Sequence, residues 1–271
     1  MFSISGADMS HIQINNAEFY YELHGDPTKQ PLVLINGLTR DHNAWGKMLP
    51  ELVQDFYVLI FDNRGVGQTK DEGSPFTVEM MANDTMTLIE TLKWDKPCVV
   101  GHSLGGAIAQ VIAYKHAAKI HRVALCNTFI KISPQAEEAF HKILLMRQND
   151  ATATEVMDYL IPCVFSKSFI TPEVRAYIEQ MNQNNPYPQS IEDYQRQLKA
   201  LSQFDSKNWV KRIRMPILVV GSKEDVTATP EQARELAACI PNAKLEFLPG
   251  AHVSYAEQPA LFVQKLKAFF L

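Results

Sequence analysis

The chain has 271 residues, 46% of them hydrophobic and 21% charged, with a net charge of −4. That length holds one large α/β domain with ample core, and the mildly acidic balance excludes a basic field for nucleic acid or an anionic membrane. No apolar run reaches the ~20 residues of a transmembrane helix, so no membrane span is expected.

In chain order, residues 10–14 and 18–24 predict two strands around an Asn15-Asn16 turn. The apolar run at 31–35 predicts a strand covered on both faces, leading into Asn36-Gly37-Leu38-Thr39-Arg40. Trp45, Leu49 and Leu52, at helical spacing, predict a helix over 42–53, and a buried strand follows at 57–61. Beyond the glycine-rich stretch Asp62 to Thr69, a helix is predicted over 77–92. Thr77 is its N-cap candidate, and Met80, Met81, Leu88 and Leu92 are expected to turn inward.

A short apolar run then ends at Val100, and an alanine-rich helical pattern begins near Leu104. Between them stands Gly101-His102-Ser103-Leu104-Gly105, with one further glycine at 106. A strand that becomes a helix within so few residues forces its middle residue into a strained conformation. Side chains two positions to either side would collide there, so glycine is needed at both. Ser103 is thereby lifted clear of the sheet at a helix N-terminus, where free N–H groups and the helix dipole favour developing negative charge. This is the pattern of a nucleophile elbow. His102 beside it reads as a turn-packing residue.

A helix behind the elbow (107–116) and a strand (120–126) follow. Residues 131–209 carry no strong strand pattern. Helical stretches are predicted near 134–148, 153–161, 172–182 and 191–202, with breaks at Asn149, Pro162, Thr171 and the loop 182–188. Order returns with a strand at 215–221 and a loop holding Glu224 and Asp225. A helix from Thr229-Pro230 to 240, a strand at 243–248, the turn Pro249-Gly250-Ala251-His252 and an amphipathic helix at 259–270 complete the chain. Repeated strand, crossover helix and strand units predict a mainly parallel sheet with helices on both faces.

Ser103, an acid near 225 and His252 each follow the carboxyl end of a predicted strand, and a parallel sheet gathers such loops on one edge. A serine hydroxyl is too weakly acidic to attack an ester without a base in hydrogen-bond reach. His252 can take and return that proton, and a carboxylate behind it fixes the ring and stabilises the imidazolium.

From about His11 to Leu271 the chain resembles the α/β-hydrolase-fold serine hydrolases. The resemblance rests on Gly101-x-Ser103-x-Gly105, on Asp62-x-Arg64-Gly65-x-Gly67, and on the chain order nucleophile, acid, base. It implies a core of residues 1–129 and 210–271, with a helical cap, 130–209, inserted after the sixth strand. It also implies an oxyanion hole made by the backbone N–H groups of Leu38 and Leu104. Asn36-Gly37 stands where many relatives carry His-Gly, a change that backbone donors tolerate. In this family the triad acid sits shortly before a proline-started helix, which favours Asp225; Glu224 is its neighbouring rival. Asp62 and Arg64 are expected to lock loops through charge-assisted hydrogen bonds. Relatives with aspartate at the elbow, the haloalkane dehalogenases and epoxide hydrolases, are disfavoured by Ser103.

The expected activity is hydrolysis of a small carboxylic ester through a Ser103–His252–Asp225 triad, without cofactor or metal. Two subtypes stand within that class. The stretch 213–259 and Leu125-Cys126-Asn127-Thr128 are similar to 3-oxoadipate enol-lactonases, which makes a lactone the alternative substrate. The size and the Ser-Leu-Gly-Gly elbow are compatible with pimeloyl-carrier methyl ester esterases. Eight Lys/Arg against ten Asp/Glu over residues 131–209 offer no basic landing site for an acidic carrier, however. A small-ligand sensor that retains the fold, a cofactor-free perhydrolase and a C–C hydrolase are the other readings. Leu144, Leu145, Met146, Met157, Phe165, Phe169 and Tyr187 are available to wall a pocket or to form the cap's own core. Residues 1–16 have neither a basic nor an apolar leader region, and the four cysteines include no C-x-x-C pair. A cytoplasmic monomer or homodimer is expected.

Overall fold

The computed structural model describes residues 8–271; the leader expectation therefore lies partly outside the described residues. The strands are β1 (Asp8–Ile14), β2 (Ala17–His24), β3 (Gln30–Ile35), β4 (Phe56–Phe61), β5 (Lys70–Asp71), β6 (Cys98–His102), β7 (Val123–Cys126), β8 (Ile217–Ser222) and β9 (Ala243–Leu248). The helices are α1 (Leu49–Leu52), α2 (Val78–Thr91), α3 (Leu104–Lys115), α4 (Pro134–Gln148), α5 (Ala153–Val164), α6 (Pro172–Gln183), α7 (Ile191–Gln203), α8 (Pro230–Cys239), α9 (Ser254–Glu257) and α10 (Pro259–Phe270). The sheet runs β1-β2-β4-β3-β6-β7-β8-β9, with β5 paired to β2. β1 and β2 pair antiparallel and β2 meets β4 antiparallel; from β4 to β9 every pairing is parallel.

The unbroken apolar runs are explained by two cores. Along β3, Leu32 and Leu34 enter one core with Trp45, Met48, Phe262 and Leu266. Val33 and Ile35 enter the other, with residues of α2, α3, α4, α7 and α8. Successive strand side chains point to opposite faces, so a strand covered on both sides must be apolar at every position.

The sheet and its longer flanking helices are those expected; the short α9 is additional, and four further differences stand out. Residues 42–53 do not form one helix: a single 3-10 turn, His42–Trp45, precedes the short α1. Pro50 accounts for this, because it has no N–H to bond the Gly46 carbonyl one turn back and so cannot extend a helix begun at His42, whereas proline is tolerated in a helix's first turn. Pro162 does not end α5, which continues to Val164. Tertiary contacts hold that last turn: Thr227 Oγ1 donates to the Cys163 carbonyl at 2.8 Å and Val253 N–H to the Val164 carbonyl at 3.1 Å. Met80 faces solvent while Met81 is buried, since neighbours on a helix point about 100° apart. The helical insertion follows the strand ending at Cys126, as expected, but the two-residue β5 makes that strand the seventh and not the sixth.

Helices α4–α7 all lie between β7 and β8. They begin on side-chain caps, Ser133, Thr152, Thr171 and Ser190, each accepting from a backbone N–H of the first turn. α4 and α7 pack on the main core through Phe140, Ile143, Leu144, Tyr194, Leu198 and Leu201. Tyr194 Oη donates to the Phe140 carbonyl at 2.9 Å, joining the two helices.

Candidate active site

Ser103 stands between β6 and α3 with φ 54° and ψ −115°, a conformation that costs a non-glycine residue on the order of 1–3 kcal/mol. Its neighbours permit it because they lack side chains. A Cβ on Gly101 would lie 2.2 Å from the Gly105 carbonyl oxygen, and one on Gly105 would lie 2.2 Å from the Ile35 carbonyl oxygen. The strained peptide is held by Ser103 N–H donating to the Cys126 carbonyl at 2.9 Å. The Ser103 carbonyl accepts from Thr128 Oγ1, also at 2.9 Å.

β7, β8 and β9 lie successively beyond β6, so the loops after β8 and β9 reach the same sheet edge. Asp225 comes from the first and His252 from the second. His252 Nε2 is 3.0 Å from Ser103 Oγ, and His252 Nδ1 is 2.9 Å from Asp225 Oδ2. A carboxylate only accepts, which places the ring proton on Nδ1 and leaves Nε2 to receive the proton of Ser103. All three side chains are buried.

Every lone-pair direction of the Asp225 carboxylate that matters is occupied. Oδ1 accepts from Thr227 N–H at 2.8 Å and Ala228 N–H at 2.9 Å; Oδ2 accepts from Asn127 Nδ2 at 2.9 Å as well as from His252. Burial alone would raise its pKa, but the charge and hydrogen bond of His252, Asn127 and the Ala228 N–H together lower it. Glu224 is exposed and shares none of this; its backbone N–H bonds the Gly250 carbonyl at 3.0 Å.

Gly37 is the point where the loop after β3 meets Ser103. A Cβ there would lie 3.0 Å from Ser103 Cβ and 3.1 Å from His102 Nδ1, so the Gly37–Leu38 backbone passes directly against the serine. Leu104 opens α3, and its N–H is one of those that a helix start leaves without an intrahelical partner. Asn36 Nδ2 donates to the Asp41 carbonyl at 2.7 Å and Asn63 Nδ2 to the Asn36 carbonyl at 3.1 Å. The asparagine at 36 is thus a loop clamp. Asp62 acts as expected on a neighbouring loop: it accepts from His42 N–H and Nδ1 and from Gln68 N–H at 2.7–2.8 Å. Arg64 forms a buried pair with Asp84.

Three residues at the site had no role in the sequence reading. Asn127, in left-handed backbone with φ 47°, bridges Asp225 and Ser222. Glu257 accepts from Ala251 N–H, beside His252, and from Ser166 N–H and Oγ, at the end of α5. Gln197 on α7 accepts from Thr39 N–H in the loop after β3. An asparagine directly after a buried apolar strand is a visible signal for the first; the other two have none. His102 does more than pack: its Nε2 donates to the His252 carbonyl at 2.8 Å. Burial, with repulsion from His252 second, pushes its pKa down to about 3, so it is neutral and cannot compete for the serine proton. Of the residues considered for a pocket wall, Leu144 and Met157 are buried, whereas Leu145 and Tyr187 face solvent. Phe165 and Phe169 stack on each other with centroids 5.7 Å apart.

The alpha/beta hydrolase fold family model matches residues 30–259. The chain is 27% identical to "Putative carbamate hydrolase RutD" of Caulobacter sp. (strain K31), over 90% of this chain and 92% of that one. It is 24% identical to 3-oxoadipate enol-lactonase 2 of Acinetobacter baylyi, over 92% and 91%. Among solved structures, the enol-lactonase from Burkholderia xenovorans LB400 superposes with a TM-score of 0.87 at 28% identity, covering 96% of this chain and 99% of that one. With the family model spanning most of its length, the chain belongs to the alpha/beta hydrolase fold family.

Proposed function

We propose that this hydrolase cleaves a small carboxylic ester through an acyl-enzyme on Ser103. His252 is then the general base and acid, Asp225 the carboxylate behind it, and the N–H groups of Leu38 and Leu104 the oxyanion hole. The observation that carries the reading is the unbroken relay from Ser103 Oγ to His252 at 3.0 Å and on to Asp225 at 2.9 Å, with the serine held in strained backbone. Ser103 Oγ attacks the acyl carbonyl as its proton passes to His252 Nε2, and the two backbone donors receive the developing oxyanion. Collapse expels the alcohol, which takes the proton from His252. Water, deprotonated by the same nitrogen, then attacks the acyl-serine and releases the acid. Oxyanion donors of this kind are each worth on the order of 10²–10³ in turnover.

We further place residues 130–209, with helices α4–α7, as a cap whose inner surface selects the substrate. The likeness to an enol-lactonase at 28% identity favours a lactone as the second substrate class, since ring opening uses the same attack and merely keeps the alcohol tethered. A carbamate, named for another relative, requires the same acyl transfer. The four cysteines are unpaired, which suits a reducing compartment and our placement in the cytoplasm. Among the described residues no helix is long and apolar enough to cross a membrane.

The test is turnover of p-nitrophenyl esters from acetate to decanoate, beside γ-lactones and alkyl carbamates, with Ser103→Ala in parallel. The reading expects serine-dependent ester turnover with a chain-length optimum. Serine-dependent turnover confined to lactones or carbamates replaces the ester by that class, and turnover equal in Ser103→Ala removes the triad.

A further inference from the structure

The loop that carries Leu38 is not held by its own strand alone. Asn36 and Asn63 clamp its first half, and Gly37 accepts from Arg40 N–H at 3.3 Å to close a turn. Within that turn Thr39 has φ 68°, left-handed backbone that a β-branched residue adopts only when its surroundings impose it. The group that meets Thr39 is Gln197, which is fully buried and lies 158 residues away on α7. Its Oε1 accepts from Thr39 N–H at 3.1 Å and from Gln189 Nε2 at 3.0 Å, and its Nε2 donates to the Arg64 carbonyl at 2.7 Å.

α7 is itself a firm platform. Tyr194 ties it to α4, and Arg196 donates to Asp71 at 2.8 Å and to the Ser74 carbonyl at 2.9 Å. Gln189 Nε2 reaches the Gly65 carbonyl at 2.6 Å. The amide of Gln197 therefore joins three segments: α7, the loop after β4 and the turn at 37–40.

We infer that Gln197 is a positioning residue for the oxyanion hole, acting through Thr39 N–H to set the orientation of the adjacent Leu38 backbone. This rests on the proposed role of the Leu38 N–H. Thr39 N–H fixes the Leu38–Thr39 peptide, and the Arg40 N–H bond to the Gly37 carbonyl orients the Gly37–Leu38 peptide that carries the Leu38 N–H; holding the turn at Thr39 therefore keeps that second bond in place. Preorganised donors stabilise a transition state because they need not reorient when charge appears. Losing the tether leaves the donor present but free to turn. The expected consequence is a loss in kcat with ground-state binding nearly preserved.

The experiment is steady-state kinetics and alkylboronic acid inhibition for wild type, Gln197→Ala, the longer Gln197→Met, and Ser103→Ala. A boronate adduct on serine places an oxygen where the oxyanion forms, so its Ki reads the hole directly. Removal of Gln197 is expected to lower kcat about 10–100-fold, approaching the cost of one lost donor. Boronate Ki should weaken in parallel, with KM within about threefold and the pH profile of kcat unmoved, because His252 and Asp225 keep their partners. Gln197→Met preserves side-chain length and volume and carries the same expectation if Gln197→Ala does not fold. A folded variant with unchanged kcat, or with reduced kcat and unchanged boronate Ki, overturns the inference while the triad reading stands. Boronate binding that is indifferent to Ser103→Ala overturns the triad reading, and the inference with it.

Discussion

Asp225 holds His252 Nδ1 at 2.9 Å with the same carboxylate oxygen that receives the Asn127 amide. The carboxylate is fixed from its own loop, by the N–H groups of Thr227 and Ala228, and from the loop after β7, by Asn127, before it touches the imidazole, so its orientation is imposed and not chosen by the histidine. Asp225→Asn keeps the shape but removes the obligate acceptor that defines the ring tautomer. Turnover should fall by about 10³–10⁴, and Glu224→Gln should stay near wild type. Kinetics on one p-nitrophenyl ester decide this; a larger loss in Glu224→Gln would reassign the acid.

His102 gives a pH prediction. An unfolded histidine titrates near 6.5, whereas burial chiefly, and repulsion from His252 next, hold His102 down to about 3 in the folded chain; the hydrogen bond to the His252 carbonyl and the Asp225 charge pull it up, and the Arg40 charge pulls it down. Between those values the unfolded chain binds the extra proton, so stability rises with pH across the window and is lost as the solution is acidified from 6.5 towards 3. His102→Gln keeps an N–H donor for the His252 carbonyl and deletes the titration. Urea unfolding between pH 6 and 4 should then show a slope shallower by about one proton. An identical slope in the two proteins would place that proton uptake elsewhere.

Gly105→Ala tests the elbow as a packing device. Its Cβ would meet the backbone oxygens of Ile35 at 2.2 Å and Asn36 at 2.7 Å, neither of which can move without displacing β3. A destabilisation on the order of 4 kcal/mol, or failure to fold, is expected. A soluble variant with a wild-type unfolding midpoint would contradict the close approach.

What was legible in the sequence was what depends on neighbours in the chain. The Gly101–Ser103–Gly105 spacing is a local steric demand, and the apolar runs of β3, β4, β6 and β8 follow from double coverage. The convergence of loops after β6, β8 and β9 then follows from parallel order. The errors were also local, since the effect of Pro50 on residues 42–48 and the solvent-facing side of Met80 were open to the same reasoning. Pro162 was different, because contacts from Thr227 and Val253 sustain the last turn of α5. Asn127 to Asp225, Glu257 to Ser166 and Gln197 to Thr39 span 98, 91 and 158 residues, and hydrogen bonds at such separations leave no periodicity to read.

The central claim is an acyl group carried on Ser103. Acid-quenching the protein milliseconds after mixing with p-nitrophenyl butyrate, followed by intact-mass and peptide mapping, tests it most directly. The account predicts one butyryl group on the peptide containing Ser103, formed with a burst of nitrophenol and absent from a folded Ser103→Ala variant. A butyryl group on another residue, or undiminished turnover by Ser103→Ala, would contradict it.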